Sequence, residues 1–188
     1  MQSNLFKMKT KPFLGIMILI GSLFILINGC TVEEDEPARK LKIGDEYGGG
    51  IVFYVDSTGQ HGLIAAPSNQ NSAVWGCDST YIGGTGRGIG MGRANTLAIV
   101  NGCSQAGTAA RICDDLVLNG YDDWFLPSVE EFFLMCEENS VIGRTDFEAY
   151  WTSTEVGPNG AICCYCGYYD SEYLPKDRSG NVRAVRAF

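Results

Sequence analysis

The sequence predicts an α+β domain, and three observations carry that prediction. Two β-branched runs, Gly50–Val55 and Gly62–Ala66, flank the turn-rich Asp56–His61, the pattern of a hairpin. Helically spaced apolar residues fill the middle of the chain, punctuated by Gly102, Asn119-Gly120 and Ser128 as stop and start signals. Extended runs then return at Tyr150–Thr154, Ala161–Tyr169 and Asn181–Phe188. Strands, then helices, then strands is an α+β order rather than the alternation of a parallel βαβ sheet.

Ahead of the domain, Lys7, Lys9 and Lys11 precede an apolar stretch from Phe13 to Ile27 that ends at Asn28-Gly29-Cys30. A cationic start, an apolar middle and a small residue is the layout of an export signal, here residues 1–29. The apolar part is about 15 residues, short of the roughly 20 that a spanning helix needs. Ile27-Asn-Gly-Cys30 resembles a bacterial lipobox, which implies cleavage before Cys30 and attachment of lipid to its sulfur. The alternative is an uncleaved membrane anchor; both place the remainder outside the cytoplasm. Residues 30–42 have no apolar periodicity and read as a solvated tether. The acidic run Glu33–Glu36 resembles the surface-export signal of Bacteroidetes-type lipoproteins, so an outer-membrane lipoprotein, surface-exposed or periplasmic, is expected.

The domain then runs over residues 43–188, long enough for one core of its own. His61, the single histidine, sits where the second hairpin strand begins. A general base needs a partner, so a turn or packing role is expected for it. Residues 67–92 read as a long irregular loop anchored by Trp75. Its stretch Gly83–Gly92 has neither the Gly-x4-Gly-Lys pattern of a phosphate loop nor the dinucleotide fingerprint. Glycine there is expected to serve tight turns and positive φ. Helices are predicted over Arg93–Asn101, Thr108–Leu118 and from Ser128 to about Asn139. In the third, Ser128 and Glu131 have capping-box spacing. Phe132, Phe133, Met135 and Cys136 form its inner side, with Glu130, Glu131, Glu137 and Glu138 outward. Just before it, Trp124-Phe125-Leu126 is a short apolar run expected to be buried. The segments Glu155–Gly160 and Asp170–Asn181 are turn-rich linkers, and the last strand alternates imperfectly, as a partly covered strand would.

A resemblance emerges from six stretches taken in order: Gly48–Val55, His61–Ala66, Gly92–Thr96, Asp123-Trp-Phe-Leu-Pro-Ser-Val-Glu-Glu131, Tyr150–Glu155 and Val182–Phe188. Together they resemble the Lcl C-terminal domain family, named after the Legionella collagen-like adhesin, over roughly residues 44–188. The resemblance implies a C-type-lectin-like fold, distantly formylglycine-enzyme-like, with a C-terminal antiparallel β-meander and the first and last strands adjacent. For function it implies a lectin-like, non-catalytic domain that binds a glycan or protein. Two alternatives stand beside it: an enzyme of the formylglycine-generating type, and a structural accessory lipoprotein without a small ligand.

Charge narrows the partners. The chain holds 14 basic and 22 acidic residues, for a net charge of −8. Residues 1–29 contain three of the basic residues and no acid, so the remainder has 11 basic against 22 acidic residues, or −11. Such a surface disfavours nucleic acid and polyanionic glycans, which need a cationic footprint. The glycosaminoglycan binding associated with the namesake adhesin is therefore not expected here.

Seven cysteines remain besides Cys30, an odd number in a compartment that permits disulfides. Cys163-Cys-Tyr-Cys166 contains a C-x-x-C, but in a predicted strand rather than at the helix start that would lower a thiol pKa. No second cysteine pair is placed to complete a zinc site. No cofactor motif is present. Among metals, calcium is the one that the loop acids Asp122, Asp123, Glu155, Asp170, Glu172 and Asp177 would suit. The candidate ligand face comprises Trp75, Asp122, Asp123, Glu155 and Asn159.

Overall fold

The computed structural model describes residues 40–143 and 148–188. The predicted signal peptide, Cys30 and the tether up to residue 39 lie outside the described residues. Within them the chain is α+β, with strands β1 (Glu46–Tyr47), β2 (Gly50–Val55), β3 (Gly62–Ala65) and β4 (Gln70–Val74) ahead of the helices. Helices α1 (Gly92–Gly102), α2 (Ala109–Asp114), α3 (Val129–Glu137) and α4 (Asn139–Ile142) come next. Strands β5 (Tyr150–Gly157), β6 (Gly160–Tyr165), β7 (Asp170–Pro175), β8 (Ser179–Val182) and β9 (Val185–Ala187) complete the fold.

The strands form two sheets, in the orders β1-β2-β3-β9 and β4-β8-β5-β6-β7. The first is antiparallel throughout; the second has one parallel contact, where Tyr150 of β5 meets Asn181 of β8. Strand β3 is buried along its whole length because period-2 alternation sends its side chains into two different cores. Ile64 joins Trp75, Ile99, Trp124 and Trp151 in one, while Leu63 and Ala65 join Phe53, Phe132 and Met135 in the other. Residues of α1 and α2 belong to the first core and those of α3 and α4 to the second.

The segment Trp124-Phe125-Leu126-Pro127 joins the two sheets. Phe125 exchanges both backbone hydrogen bonds with Val185 of β9, at 2.8 and 2.9 Å, and Pro127 O accepts from Ser153 N of β5 at 2.8 Å. Its side chains divide between the cores, Trp124 and Leu126 into the first and Phe125 into the second. Helix α3 follows directly, and the predicted capping box is present, with Ser128 accepting from Glu131 N and Glu131 from Ser128 N.

Several elements differ from the sequence reading. The loop 67–92 contains β4, whose Trp75 neighbour is wholly buried. Helix α2 ends at Asp114, and the chain then makes a tight Leu118–Tyr121 bridge around Asn119, whose φ is 53°. The linker Asp170–Asn181 holds β7 and most of β8. The expected last strand is two strands in two sheets: β8 pairs with β4 and β9 with β3, the chain crossing over at Arg183-Ala184. That crossing explains the imperfect alternation. The terminal strand also lies beside the second hairpin strand rather than the first. Glu131, expected outward, is buried. Its capping-box geometry folds the carboxylate back over the helix start, where Gly90 N donates to it at 2.9 Å.

Candidate functional site

A groove of about 610 Å³ opens beside the β1–β2 hairpin turn, lined by Glu46, Tyr47, Gly48–Gly50, Ile51, Pro67 and Asn119. The turn that floors it is a two-residue hairpin loop, since Tyr47 and Gly50 are paired across Gly48-Gly49. Both loop residues have positive φ, 55° and 85°, as a type I′ turn demands and as glycine supplies without strain. A side chain at Gly48 would strike Arg186 and Ile64, and one at Gly49 would strike Tyr121.

Side chains from distant elements fix this turn. Arg186 of β9 donates to Gly48 O at 2.9 Å, and Asn119 Nδ2 donates to Gly49 O at 2.8 Å. The Arg186 guanidinium also grips Asp123 through Nε and Nη2 at 2.7 and 3.0 Å, and stacks 3.9 Å from the centre of the Tyr121 ring. A bidentate fork on a carboxylate, with the plane on an aromatic face, is a geometry lysine could not replace. The hydrogen bond from Arg186 holds the Asp123 carboxyl below the usual carboxylate range. Arg93 donates to the backbone carbonyl of Asp123 at 2.9 Å. Asp123 is thus committed to shaping the groove, while Asp122 beside it is exposed.

What the groove offers a ligand is an aromatic ring and hydrogen-bonding groups on a rigid frame. Tyr47 is 48% exposed and packs edge-on against Phe188, with ring centres 5.6 Å apart. Glu46 contributes an exposed carboxylate. No cysteine or histidine lines the groove.

The other predicted ligand residues, Trp75, Glu155 and Asn159, come together elsewhere, around Lys176, and two of them are interior rather than surface residues. Lys176 is wholly buried, its ammonium paired with Glu155, donating to Thr80 O and lying 4.6 Å from the centre of the Trp75 ring. Glu155 accepts from Ile82 N and Gly83 N at 2.9 and 2.7 Å, so its charge holds a loop in place instead of reaching solvent. Trp75 donates through Nε1 to Thr152 O at 3.0 Å. Asn159 is exposed and contacts Ser79 Oγ at 3.2 Å.

The glycine-rich loop is held by buried polar side chains. Asn95 pairs with both Gly86 N and Gly86 O, Ser128 Oγ donates to Gly88 O, and Glu131 accepts from Gly90 and Gly92. Gly83, Gly84 and Gly90 have positive φ, and a side chain at Gly92 would meet Glu131 and Phe125. The loop is a packed structural element. Burial is the main cause that raises the Glu131 carboxyl pKa, only partly offset by the three amides.

Among the described residues the cysteines form two bridges, Cys77–Cys103 and Cys136–Cys166, and leave Cys113, Cys163 and Cys164 as buried thiols. The C-x-x-C is not a pair: Cys163 lies in β6 and in the first core, whereas Cys166 stands past the end of β6, in the second core, where it is bridged to Cys136. Burial raises the pKa of all three thiols, that of Cys164 to about 12. His61 is exposed at the end of the hairpin turn, where Asp56 organises the backbone. Among the described residues, no three His, Cys, Asp or Glu side chains gather as metal ligands. Nor is any helix among them long and apolar enough to cross a membrane.

Sequence reasoning missed Glu46, Tyr47, Asn119 and Arg186 as parts of the groove. The signal was present in Gly48-Gly49-Gly50, since a glycine pair between strands marks a tight hairpin. What the sequence did not show is that Asn119 and Arg186 converge on it. Compared with known proteins, the chain matches no family model and no curated protein.

Proposed function

We propose that this chain is a lipid-anchored, non-catalytic recognition protein of the cell envelope, tethered through Cys30, whose C-type-lectin-like domain binds a glycan in the Gly48–Gly50 groove. The observation that carries the reading is the groove itself: a solvent-facing tyrosine beside a carboxylate, on a turn fixed by Arg186 and Asn119. Sugar rings present apolar C–H faces to aromatic rings and hydroxyls to polar groups, and a rigid frame limits the entropy lost on binding. The acidic balance of the chain directs the choice toward uncharged glycans.

A formylglycine-type enzyme is less well supported. Thiol chemistry needs an accessible thiolate, and the three described thiols are buried with raised pKa. The test is a glycan array probed with the full-length protein in detergent, with and without calcium. Selective retention on uncharged glycans supports the reading. Retention only on heparin-like polyanions, or on no glycan, overturns it.

A further inference from the structure

A second exposed aromatic surface lies apart from the groove residues, at the turn between β6 and β7. The turn is Cys166-Gly167-Tyr168-Tyr169, closed by a hydrogen bond from Tyr169 N to Cys166 O at 3.3 Å. Cys166 is bridged to Cys136 of α3, so the turn is covalently fastened to a helix. Tyr168 is 70% exposed and Tyr169 53%. Tyr169 stacks on Phe133 of α3, with ring centres 6.0 Å apart and planes 8° from parallel. Further along β7, Tyr173 is 48% exposed and pairs in register with Ile162, which places it on the α3 side of the sheet.

Tyr169 also has a φ of 52°, a conformation that a bulky side chain adopts at a cost and that glycine or asparagine would adopt more easily. The fold therefore holds large apolar rings in solvent, on a clamped turn, at a position where a smaller residue would be less strained. Rigid exposed tyrosines are what recognition surfaces use, because they give contact area at little entropic cost.

The charges around the rings indicate what they would contact. Glu137 and Glu138, at the end of α3, act on the Tyr169 hydroxyl, whose pKa burial raises first and these carboxylates raise further. Asp170 follows directly after Tyr169 and is exposed; Glu172 pairs in register with Cys163 and accepts from the Tyr165 hydroxyl on the other face of the sheet. Among the described residues, Arg87 is a base that acts on this side, at Cys164, where Asp170 opposes it. Three carboxylates around the exposed tyrosines repel an anionic lipid surface or polyanion. A second copy of this acidic chain would bring like charge to like. A cation is favoured twice, by the carboxylates and by the ring faces. We propose that the Tyr168-Tyr169 turn, rimmed by Glu137, Glu138 and Asp170, is a docking surface for a basic, arginine-bearing segment of a partner protein.

The test titrates dye-labelled nona-arginine into the full-length protein in detergent micelles, followed by fluorescence anisotropy. Three forms are compared: wild type, Tyr168→Ala/Tyr169→Gly and Glu137→Gln/Glu138→Gln. The glycine keeps the left-handed backbone residue, and thermal melts check that each form folds. The proposal expects saturable, salt-weakened binding that falls about tenfold in the tyrosine variant, at unchanged net charge, through loss of ring–cation contacts. It expects a similar fall in the glutamine variant. If the tyrosine double variant does not fold, Tyr168→Ala alone must weaken binding about threefold. Equal affinity of a folded tyrosine variant and wild type would reduce the attraction to net charge and overturn the proposal. So would displacement of the peptide by neutral maltoheptaose, which would make the turn a sugar platform.

Discussion

Replacing Lys176 with methionine isolates the buried charge pair beside Trp75. Both side chains of the Lys176–Glu155 pair are fully shielded from solvent. Methionine keeps most of the volume and leaves the Glu155 carboxylate with two amide donors, Ile82 N and Gly83 N, but without its counterion. Removing one partner of a buried pair costs about 3–5 kcal/mol, because the remaining charge stays desolvated. That is a large share of the roughly 5–15 kcal/mol that holds a domain folded. For a domain of this size it corresponds to a fall in Tm of roughly 10 °C. Urea melts at pH 7 measure the loss, and hydrogen exchange locates it, because Ile82 and Gly83 amides should lose protection first. Adding Glu155→Gln to Lys176→Met should restore part of the stability, since no buried charge then remains. A loss below about 1 kcal/mol for Lys176→Met, the range of exposed pairs, would refute the buried-anchor account.

Other outcomes follow from the same geometry. Trp124→Ala, emptying a wholly buried site between the sheets, should cost about 3–5 kcal/mol in the same melts. Ser128→Ala should cost about 1–2 kcal/mol through the lost cap, and Asp122→Ala under about 0.5 kcal/mol, as for exposed sites. An Asp122→Ala loss as large as that at Trp124, with calcium stabilising the wild type alone, would make Asp122 a ligand. Cys113, Cys163 and Cys164 should resist iodoacetamide at pH 8 in the native protein and react after denaturation; fast native labelling at any of them contradicts their burial. On pH, Glu131 and Asp123 act in opposite senses. The folded pKa of Glu131 is raised above its ordinary 4.5, so the stability linked to its proton is full below that value and falls as pH rises through the folded pKa. The folded pKa of Asp123 lies below its ordinary 3.8, so its contribution is full above that value and is lost as pH falls through the folded pKa. Melts across pH 3–7 should show Glu131→Gln removing the first dependence and Asp123→Asn the second; no change in either slope contradicts the assignment.

The parts of the fold legible in the sequence were those written locally. The hairpin Gly50–Ala65, the buried Trp124–Leu126 run and the Ser128–Glu131 capping box all depend on neighbours within a few residues. What was not legible depends on distant partners. Glu131 looks solvated on a helical wheel and is buried because the Gly90–Gly92 backbone closes over it. Trp75 and Glu155 read as loop residues until Lys176, distant in sequence, is brought between them. The two disulfides link residues 26 and 30 apart, and no local pattern selects them over other pairings. Asp123 was singled out as a ligand residue, but Arg186 engages its carboxylate, and the exposed ring that lines the groove beside it is Tyr47.

The groove is tested most directly by isothermal titration of the glycan most strongly retained on the array, into the full-length protein in detergent. Wild type is compared with Tyr47→Ala and, as an exposed tyrosine away from the groove, Tyr173→Ala. The account predicts that Tyr47→Ala melts within a few degrees of wild type yet binds about tenfold more weakly, as expected of a central aromatic contact, while Tyr173→Ala titrates as wild type. Equal affinity of Tyr47→Ala and wild type would place the ligand elsewhere and contradict the account.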